Sequence, residues 1–313
     1  MSALFLLAAG LLWVGAPHSE AAPPAPKAPN AGDPQQQPIR VEVDLVSILA
    51  SVVDKTNRPI IDLPKDAFQI YDEGKLQSLT LFEAETHQPI DLALMVDSSM
   101  STALDFPVER DAAARFIQKV VRPGDGISFF TFSDEVVQKT NFIDDVPKLQ
   151  LALRNVKEGA GTALYDAVVL GSQELAKRKS ERRRVIVLVT DAGETTSHAS
   201  FDMARREAIR SDALLYTIIL NPVKSEGGRN TAGEHALQTI TEVTGGAMFY
   251  PGNAGQLDGI YDRIDKELRT QYRLGFYPDP KPPAGELRHI EVRVKGDYIV
   301  RYRQAYIAPG TAK

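Results

Sequence analysis

Three polar side chains follow one short apolar segment in the first third of the sequence. Residues 92–96 (Leu-Ala-Leu-Met-Val) are apolar without interruption, which is typical of a strand buried on both faces of a parallel sheet. Asp97, Ser99 and Ser101 come directly after it, at alternate positions. Their carboxylate and hydroxyl oxygens are hard donors that suit Mg²⁺ or Ca²⁺ better than a soft transition metal. A turn in which Asp and Ser cap the next helix would explain the same residues.

Two later segments add oxygen donors that could lie at the same rim. Thr162 follows two glycines in Gly159-Ala-Gly-Thr162, where a helix is predicted to begin with Thr162 as its N-cap. Asp191 comes after a second apolar strand, residues 185–189, with only Thr190 between the strand and the aspartate. Ligands of open α/β sheets bind outside the carboxyl ends of the strands, so these donors are expected near Asp97. No phosphate-binding glycine motif accompanies them.

The composition is that of an ordinary globular protein. The 313 residues are 43% hydrophobic and 25% charged, with a formal net charge of −5. An acidic chain of this kind argues against nucleic acid as the main partner. The absence of cysteine excludes disulfides, zinc–thiolate sites and cysteine nucleophiles.

The amino terminus predicts export. Residues 3–16 are apolar throughout, and Ser19 and Ala21 place small residues where a signal peptidase cleaves. We therefore expect a signal peptide over residues 1–21 and a secreted or periplasmic protein. No Lys or Arg precedes the apolar segment, so an uncleaved anchor is the alternative, and contact with a membrane is expected only through it. Residues 22–38, rich in Pro, Ala and Gln, predict a flexible linker.

The rest of the chain predicts a central α/β domain inserted in a β-module. Residues 39–88 alternate in polarity as short strands do, with a slip of phase after Leu45 that indicates a bulge. Residues 89–270 alternate strands and helices, which indicates a doubly wound, mostly parallel, Rossmann-like sheet. Residues 271–308 return to the two-residue period, and we expect their strands to join the N-terminal ones in a β-sandwich-like module. Residues 309–313 are expected to form a disordered tail.

The predicted elements are defined by their apolar patterns. Helices are expected over residues 108–121, 146–156, 163–176, 201–210, 235–243 and 257–268. Strands of the central sheet are expected over residues 92–96, 126–132, 185–189, 214–220 and 247–250. Strands of the β-module are expected over residues 39–52, 68–71, 78–82, 272–276, 290–294 and 298–302.

The order of the oxygen donors resembles a known site. An Asp-x-Ser-x-Ser segment, a Gly-Thr loop and an Asp after an apolar strand are together similar to the metal-ion-dependent adhesion site of von Willebrand factor type A (VWFA) domains. The similarity covers about residues 89–271. The flanks resemble the VWFA-related Acidobacterial domain family, through Leu63-Pro-Lys-Asp-Ala-Phe68 before the domain and Tyr272-Arg-Leu-Gly-Phe276 after it.

This resemblance implies a metal-dependent docking protein with no enzymatic activity. The metal would be Mg²⁺, with Mn²⁺ or Ca²⁺ as alternatives, and an acidic side chain of a protein partner would complete its coordination. One departure from the family pattern is Ala192, where a glycine usually follows the aspartate. Glu194 could instead occupy the open position from within the chain. The implied metal ligands are Asp97, Ser99, Ser101, Thr162 and Asp191.

Other functions remain open from the sequence. The same fold could be a scaffold of an envelope complex whose metal site is vestigial or capped by Glu194. A hydrolase could combine Ser98 or Ser99 with His198 and Asp191, but no Gly-x-Ser-x-Gly motif is present. The basic segment 177–184 could bind an anionic surface, and a solvated connection at a helix C-terminus is the simpler interpretation.

Overall fold

A computed structural model describes most of the chain. It describes residues 45–84, 88–100, 106–179, 181–220 and 231–308. The predicted signal peptide (1–21), linker (22–38) and tail (309–313) lie outside the described residues, as does Ser101. Residues 42–313 form one compact unit. No helix in the described part of the chain is both long enough and apolar enough to span a bilayer.

The structure contains fourteen strands and six α-helices in its described part. The strands are β1 Val46–Val53, β2 Phe68–Asp72, β3 Lys75–Gln77, β4 Leu81–Glu83, β5 Ile90–Asp97, β6 Gly126–Phe132, β7 Val136–Gln138, β8 Arg183–Thr190, β9 Ala213–Ile219, β10 Met248–Phe249, β11 Tyr272–Phe276, β12 Leu287–Val294, β13 Ile299–Tyr302 and β14 Ala305–Ile307. The helices are α1 Phe106–Val120, α2 Val146–Arg154, α3 Leu164–Ala176, α4 Phe201–Ser211, α5 Thr231–Thr244 and α6 Leu257–Arg269.

The central sheet has six strands in the order β10-β9-β8-β5-β6-β7. All neighbours pair in parallel except β7, which is antiparallel to β6. Strand β5 is buried at every position because apolar cores cover both faces. Phe116 of α1 and Leu268 of α6 belong to one core, and Leu164 of α3 and Leu237 of α5 belong to the other. The doubly wound α/β fold is therefore confirmed.

The β-module is built from strands on both sides of the central domain in the sequence. Two four-stranded sheets have the orders β13-β1-β11-β4 and β14-β12-β2-β3. Their apolar faces share one core that includes Ile48, Ile70, Leu274, Phe276 and Val292. The predicted accessory module of N- and C-terminal strands is thus present. The boundaries at residues 88/89 and 270/271 stay predictions.

The structure contains three short strands that the sequence did not predict. Strands β3, β7 and β14 have three residues each, too few to display a two-residue period. The strand expected over residues 78–82 is also shorter, since pairing begins only at Leu81. The amino-terminal part of the strand expected over residues 39–52, including most of its proposed phase slip, lies outside the described residues.

The arginines of the basic segment 177–184 are more buried than a solvated connection would be, whereas Lys177, Lys179 and Glu181 are exposed. Arg178 and Arg182 both donate to the carboxylate of Asp91, at 2.8 and 2.7 Å. The Asp91 side chain is fully buried at the start of β5, and Arg183 is only 3% exposed. These arginines therefore hold the amino edge of the central sheet. Sequence patterning missed this because Asp91 is distant from them along the chain.

Candidate metal centre

Asp97 ends strand β5 at the carboxyl edge of the central sheet and is 1% exposed. Its Oδ1 accepts a hydrogen bond from the main-chain N–H of Ser99 at 2.9 Å. Its Oδ2 accepts one from the hydroxyl of Thr190 at 2.7 Å, across from the neighbouring strand β8. The carboxylate is thus fixed between the first loop (residues 97–101) and the end of β8.

The first loop is joined to the second loop (residues 159–163) by main-chain hydrogen bonds. The N–H of Gly159 donates to the carbonyl of Ser98 at 3.0 Å, and that of Met100 donates to the carbonyl of Gly159 at 2.9 Å. Ser99, between them, is 1% exposed. Ser101 lies outside the described residues, so its role as a ligand stays a prediction.

Thr162 lies in the second loop, and the expectation that it caps α3 is wrong. The helix begins at Leu164, and its N-cap, Ala163, makes no side-chain hydrogen bond. The N–H of Tyr165 donates instead to Glu194 Oε2 at 3.0 Å and to Ser197 Oγ at 2.9 Å. Helix α3 is therefore capped by side chains of the third loop (residues 190–197).

The third loop brings Asp191 next to Thr162. Gly193 donates its N–H to Asp191 Oδ1 at 2.8 Å. A Cβ placed on Gly193 would lie 3.0 Å from Asp191 Oδ1 and 3.3 Å from Thr162 Oγ1, so both oxygens border the space that this glycine leaves. The charge of Asp191 also reaches Asp97 and raises its pKa. The structure thus brings together three of the predicted residues, one from each loop.

The electrostatics of the centre follow from burial. Removal from water raises the pKa of Asp97 to about 6, although the hydrogen bonds from Thr190 and Ser99 oppose this change. The negative charge of Asp191 adds to the increase. A divalent cation between the two carboxylates would offset both the desolvation and the repulsion.

The donor set fits a hard cation held by carboxylate and hydroxyl oxygens together. Among the described residues, no group of three or more His, Asp and Glu side chains could hold a metal. The candidate centre instead combines the carboxylates of Asp97 and Asp191 with the hydroxyls of Ser99 and Thr162. Oxygen donors of this kind suit Mg²⁺, Mn²⁺ and Ca²⁺.

Ala192, the departure from the family pattern, has a φ of +65°. Alanine adopts this left-handed conformation at some cost, commonly about 1 kcal/mol relative to glycine. Its side chain is fully buried in the core beneath α3 and α4. The backbone beside Asp191 therefore keeps the conformation that glycine favours, and the packing of the methyl group offsets part of the strain.

The alternative roles of Glu194 and His198 do not match their contacts. Glu194 accepts hydrogen bonds from Tyr165 N–H, Ser197 N–H and Ser197 Oγ, so its carboxylate serves the start of α3. The His198 side chain is 94% exposed and its Nδ1 lies 3.2 Å from Asp166, not beside Asp191. Within the described residues, nothing assembles a Ser–His–Asp triad on Ser98, whose hydroxyl donates to the carbonyl of Phe132.

Two supporting residues were missed by the sequence interpretation. Thr190 donates to Asp97, as described above. Asp134, two residues after β6, accepts the N–H groups of Ala160 and Gly161, both at 2.8 Å, and so fixes the second loop. The signal for Asp134 was available, because it follows a third strand that ends at the same edge.

Comparison with known proteins identifies the class. Residues 92–194 match the sequence profile of the family described as von Willebrand factor type A domain. The matched range contains Asp97, Ser99, Thr162 and Asp191. The chain therefore contains a von Willebrand factor type A domain. The similarity of its flanks to the Acidobacterial branch stays a prediction, and no curated protein matches the chain.

Solved structures resemble the chain at low identity. A von Willebrand factor type A protein from Catenulispora acidiphila has a TM-score of 0.50 at 9% identity, covering 77% of this chain and 72% of that one. BatB, a conserved hypothetical protein from Bacteroides thetaiotaomicron, has a TM-score of 0.46 at 15% identity, with coverage of 58% and 100%. The domain of the type V pili tip protein Mfa5 from Porphyromonas gingivalis has a TM-score of 0.47 at 12% identity, with coverage of 58% and 95%.

Proposed function

We propose that this protein is an exported, non-enzymatic docking protein that binds an acidic protein partner through a divalent cation. Asp97, Ser99, Ser101, Thr162 and Asp191 would hold the cation, which is Mg²⁺ by preference and Mn²⁺ or Ca²⁺ as alternatives. The observation that carries the proposal is the convergence of Asp97, Thr162 and Asp191 from three loops.

The composition of the centre supports docking in preference to catalysis. Two carboxylates and three neutral hydroxyls are fewer than the six or more oxygens that such cations take, so water or a partner must supply the rest. A carboxylate of the partner is the strongest neutral-pH oxygen ligand for that place. The cation would supply an electrostatic contact to the partner, while Thr190 and Asp134 keep the loops in place.

Calorimetric titration of the purified chain with Mg²⁺ and Mn²⁺ tests the metal site. We expect one saturable site in the wild type and at least about a tenfold loss of affinity in Asp97→Asn and in Asp191→Asn. Asp202→Asn is a matched control, because that carboxylate is 82% exposed and pairs with Arg205 on α4. No saturable heat in the wild type, or equal affinity in all four proteins, would remove the metal from the proposal.

Affinity capture from envelope extract tests docking itself. The chain would be presented in parallel with Mg²⁺ and with a chelator, together with the Asp97→Asn protein in Mg²⁺. We expect a partner that is retained only by the wild type in Mg²⁺. Capture that survives both chelation and substitution would favour the scaffold alternative, in which the site has no docking role.

A further inference from the structure

A second polar site lies at the opposite edge of the central sheet, where the first residues of β8 face the β-module. A partly open cavity of about 110 Å³ lies there. Five arginines line it: Arg182, Arg183, Arg184, Arg273 and Arg303. We call it the arginine cavity. Arginines are seldom gathered around one small space unless negative charge compensates them.

The arginines that line the cavity outnumber the carboxylates that line it. Of the described residues that line the cavity, Asp212 carries the single carboxylate, and it accepts from Arg303. Arg182 bonds the buried Asp91, but Arg178 shares that carboxylate. Arg273 pairs with Glu83, outside the lining, at 3.5 Å. The lining itself therefore carries more positive than negative charge.

Arg183 and Arg184 have main-chain partners. Nη1 of Arg184 donates to the carbonyl of Ser211 at 2.9 Å, and its Nη2 donates to that of Arg178 at 2.6 Å. Arg183 donates through Nε and Nη2 to the carbonyl of Gln88, at 3.0 and 2.8 Å. Carbonyl oxygens satisfy N–H groups but carry no net charge, so the positive charge of both side chains remains.

Two donors at the cavity are without acceptors. Among the described residues, Nε–H of Arg184 and Nε–H of Arg303 are buried and make no hydrogen bond. Arg303 is held in place by Asp212 and by the carbonyl of Ser47, at 2.5 Å from its Nη2, so the position of its Nε is determined. A buried N–H group without an acceptor is costly, so the protein leaves these two guanidinium groups incompletely satisfied, although neither Nε–H is exposed to the open space of the cavity.

The size of the cavity limits what ligand it can hold. One water requires roughly 10–15 Å³ on this scale, so the space holds several waters. Drug-sized ligands use pockets of about 300–1,000 Å³, so the cavity is too small to hold a whole nucleotide or sugar phosphate within it. Guanidinium groups match the oxygens of phosphate and sulfate in geometry and charge. We propose that the arginine cavity binds one free inorganic oxyanion, phosphate or sulfate, between Arg184 and Arg303.

Such an anion would link two parts of the fold. Arg184 belongs to β8 of the central sheet, whereas Arg303 follows β13 of the β-module. The site is also separate from the candidate metal centre. Six residues of β8 lie between Arg184 and Asp191, so seven steps at the usual rise of a strand place the two about 23 Å apart. Failure of metal binding would therefore not affect this proposal.

Calorimetry of the full chain with sodium phosphate and sodium sulfate tests it, at constant ionic strength set by chloride and with EDTA present. We expect one saturable site in the wild type and at least about a tenfold weaker affinity in Arg184→Gln and Arg303→Gln. Arg293→Gln is the matched control, since that arginine is exposed on β12 and pairs with Glu291. Its affinity should stay within about twofold of the wild type.

A second measurement guards against variants that do not fold. The wild type should unfold at a higher temperature in phosphate or sulfate than in chloride of equal ionic strength, because a ligand of the folded state stabilises it. The absence of saturable heat in the wild type together with no such shift would overturn the proposal. Equal phosphate affinity in folded Arg303→Gln, or binding of acetate in place of both oxyanions, would also overturn it.

Discussion

At the scale of single residues, Asp97 is the side chain whose surroundings say most about the site. Both of its oxygens accept hydrogen bonds, it is nearly fully buried, and a second carboxylate raises its pKa further. These features keep it in one orientation while making its charge unfavourable in the metal-free protein. We expect a residue of this kind to destabilise the metal-free protein while favouring metal binding.

The first prediction concerns the cost of this buried charge to the stability of the metal-free protein. The pKa of Asp97 is about 6 in the folded protein against an ordinary value of 3.8, so the folded state binds more protons between these values. The stability of the metal-free protein should therefore fall as pH rises through this window. In EDTA near pH 8, Asp97→Asn should be more stable than the wild type by about 1–2 kcal/mol, and the gain should nearly vanish near pH 4.

Urea unfolding of both proteins in EDTA at three pH values measures this difference. Asp202→Asn serves again as the control, and its stability should follow the wild type at each pH. A metal-free Asp97→Asn protein that is less stable than the wild type at pH 8 would contradict the prediction. A measured gain in stability would also show that any loss of metal binding by Asp97→Asn is not caused by misfolding.

Residue types and strand ends were enough to place Asp97, Thr162 and Asp191 at one rim of the sheet, and their role as metal ligands stays a prediction. Their positions depend on which strands end at one edge, and unbroken apolar segments reveal this. Thr190 and Asp91 could not be predicted in the same way, because their partners lie 93 and 87 residues away along the chain. A contact of that range depends on the pairing of β5 with its neighbours.

At the scale of elements, helix α3 depends on the loop that carries Asp191. Its first free N–H groups are satisfied by Glu194 and Ser197, and the N–H of Thr195 donates to the carbonyl of Thr162 at 2.9 Å. The second and third loops are thus tied to each other and to the helix. The third loop caps α3 and also bonds to the carbonyl of Thr162, so it holds Thr162 in position.

The second prediction concerns this cap. Glu194→Ala should destabilise the protein by about 1–2 kcal/mol, because the start of α3 loses a charged acceptor at its positive end. Mg²⁺ affinity should stay within about twofold of the wild type, since Glu194 is engaged with α3. Denaturant unfolding and calorimetry measure the two effects. Glu194→Gln keeps one acceptor oxygen and should lose less stability.

An increase of tenfold or so in Mg²⁺ affinity in Glu194→Ala would contradict this assignment. It would show that Glu194 competes for the metal, as the self-capped alternative supposes. A large loss of affinity without loss of stability would make Glu194 a ligand.

The long elements were predictable and the short ones were not. Strand β6 and helix α2 begin where the apolar pattern places them, at Gly126 and Val146. Strands of three residues depend on the neighbour with which they pair. The basic segment 177–184 was also mispredicted. A run of charged residues indicates an exposed segment, and the sequence does not show that its arginines bind the buried carboxylate of Asp91.

At the scale of the whole molecule, the β-module is completed only by the end of the chain. Strand β1 lies between β11 and β13, and β2 lies between β3 and β12. The N-terminal strands β1, β2 and β4 therefore have a C-terminal neighbour on at least one side, whereas β3 pairs only with β2. Their apolar residues share a core with Tyr272, Leu274 and Phe276, which are all fully buried.

The third prediction is that truncation after Gln271 prevents the β-module from folding. Loss of β11–β14 exposes the apolar faces of β1 and β2 and removes partners from both. Amide hydrogen exchange should then show no protection in β1 and β2, whereas the full chain should protect both. Removal of residues 309–313 alone is the control and should leave protection unchanged. Protected amides in β1 of the truncated chain would contradict the interpretation.

The two-part architecture was predictable, since the change from a two-residue period to strand–helix alternation and back is visible in the sequence. The order of strands in each sheet was not. Eight short strands can pair in many ways, and side-chain patterning identifies the buried face of a strand but not its neighbour. Only the packed structure distinguishes β11 from β13 as a partner for β4.

The pairing of β1 with β11 also has a mechanical meaning. Val46 lies opposite Phe276, and Ala50 lies opposite Tyr272. Tension between the chain before Val46 and the domain before Tyr272 therefore acts on opposite ends of this pair. The strands are loaded lengthwise, so their hydrogen bonds share the force and do not open one by one. Force applied to the chain before β1 would for this reason be resisted by the whole β1–β11 pair.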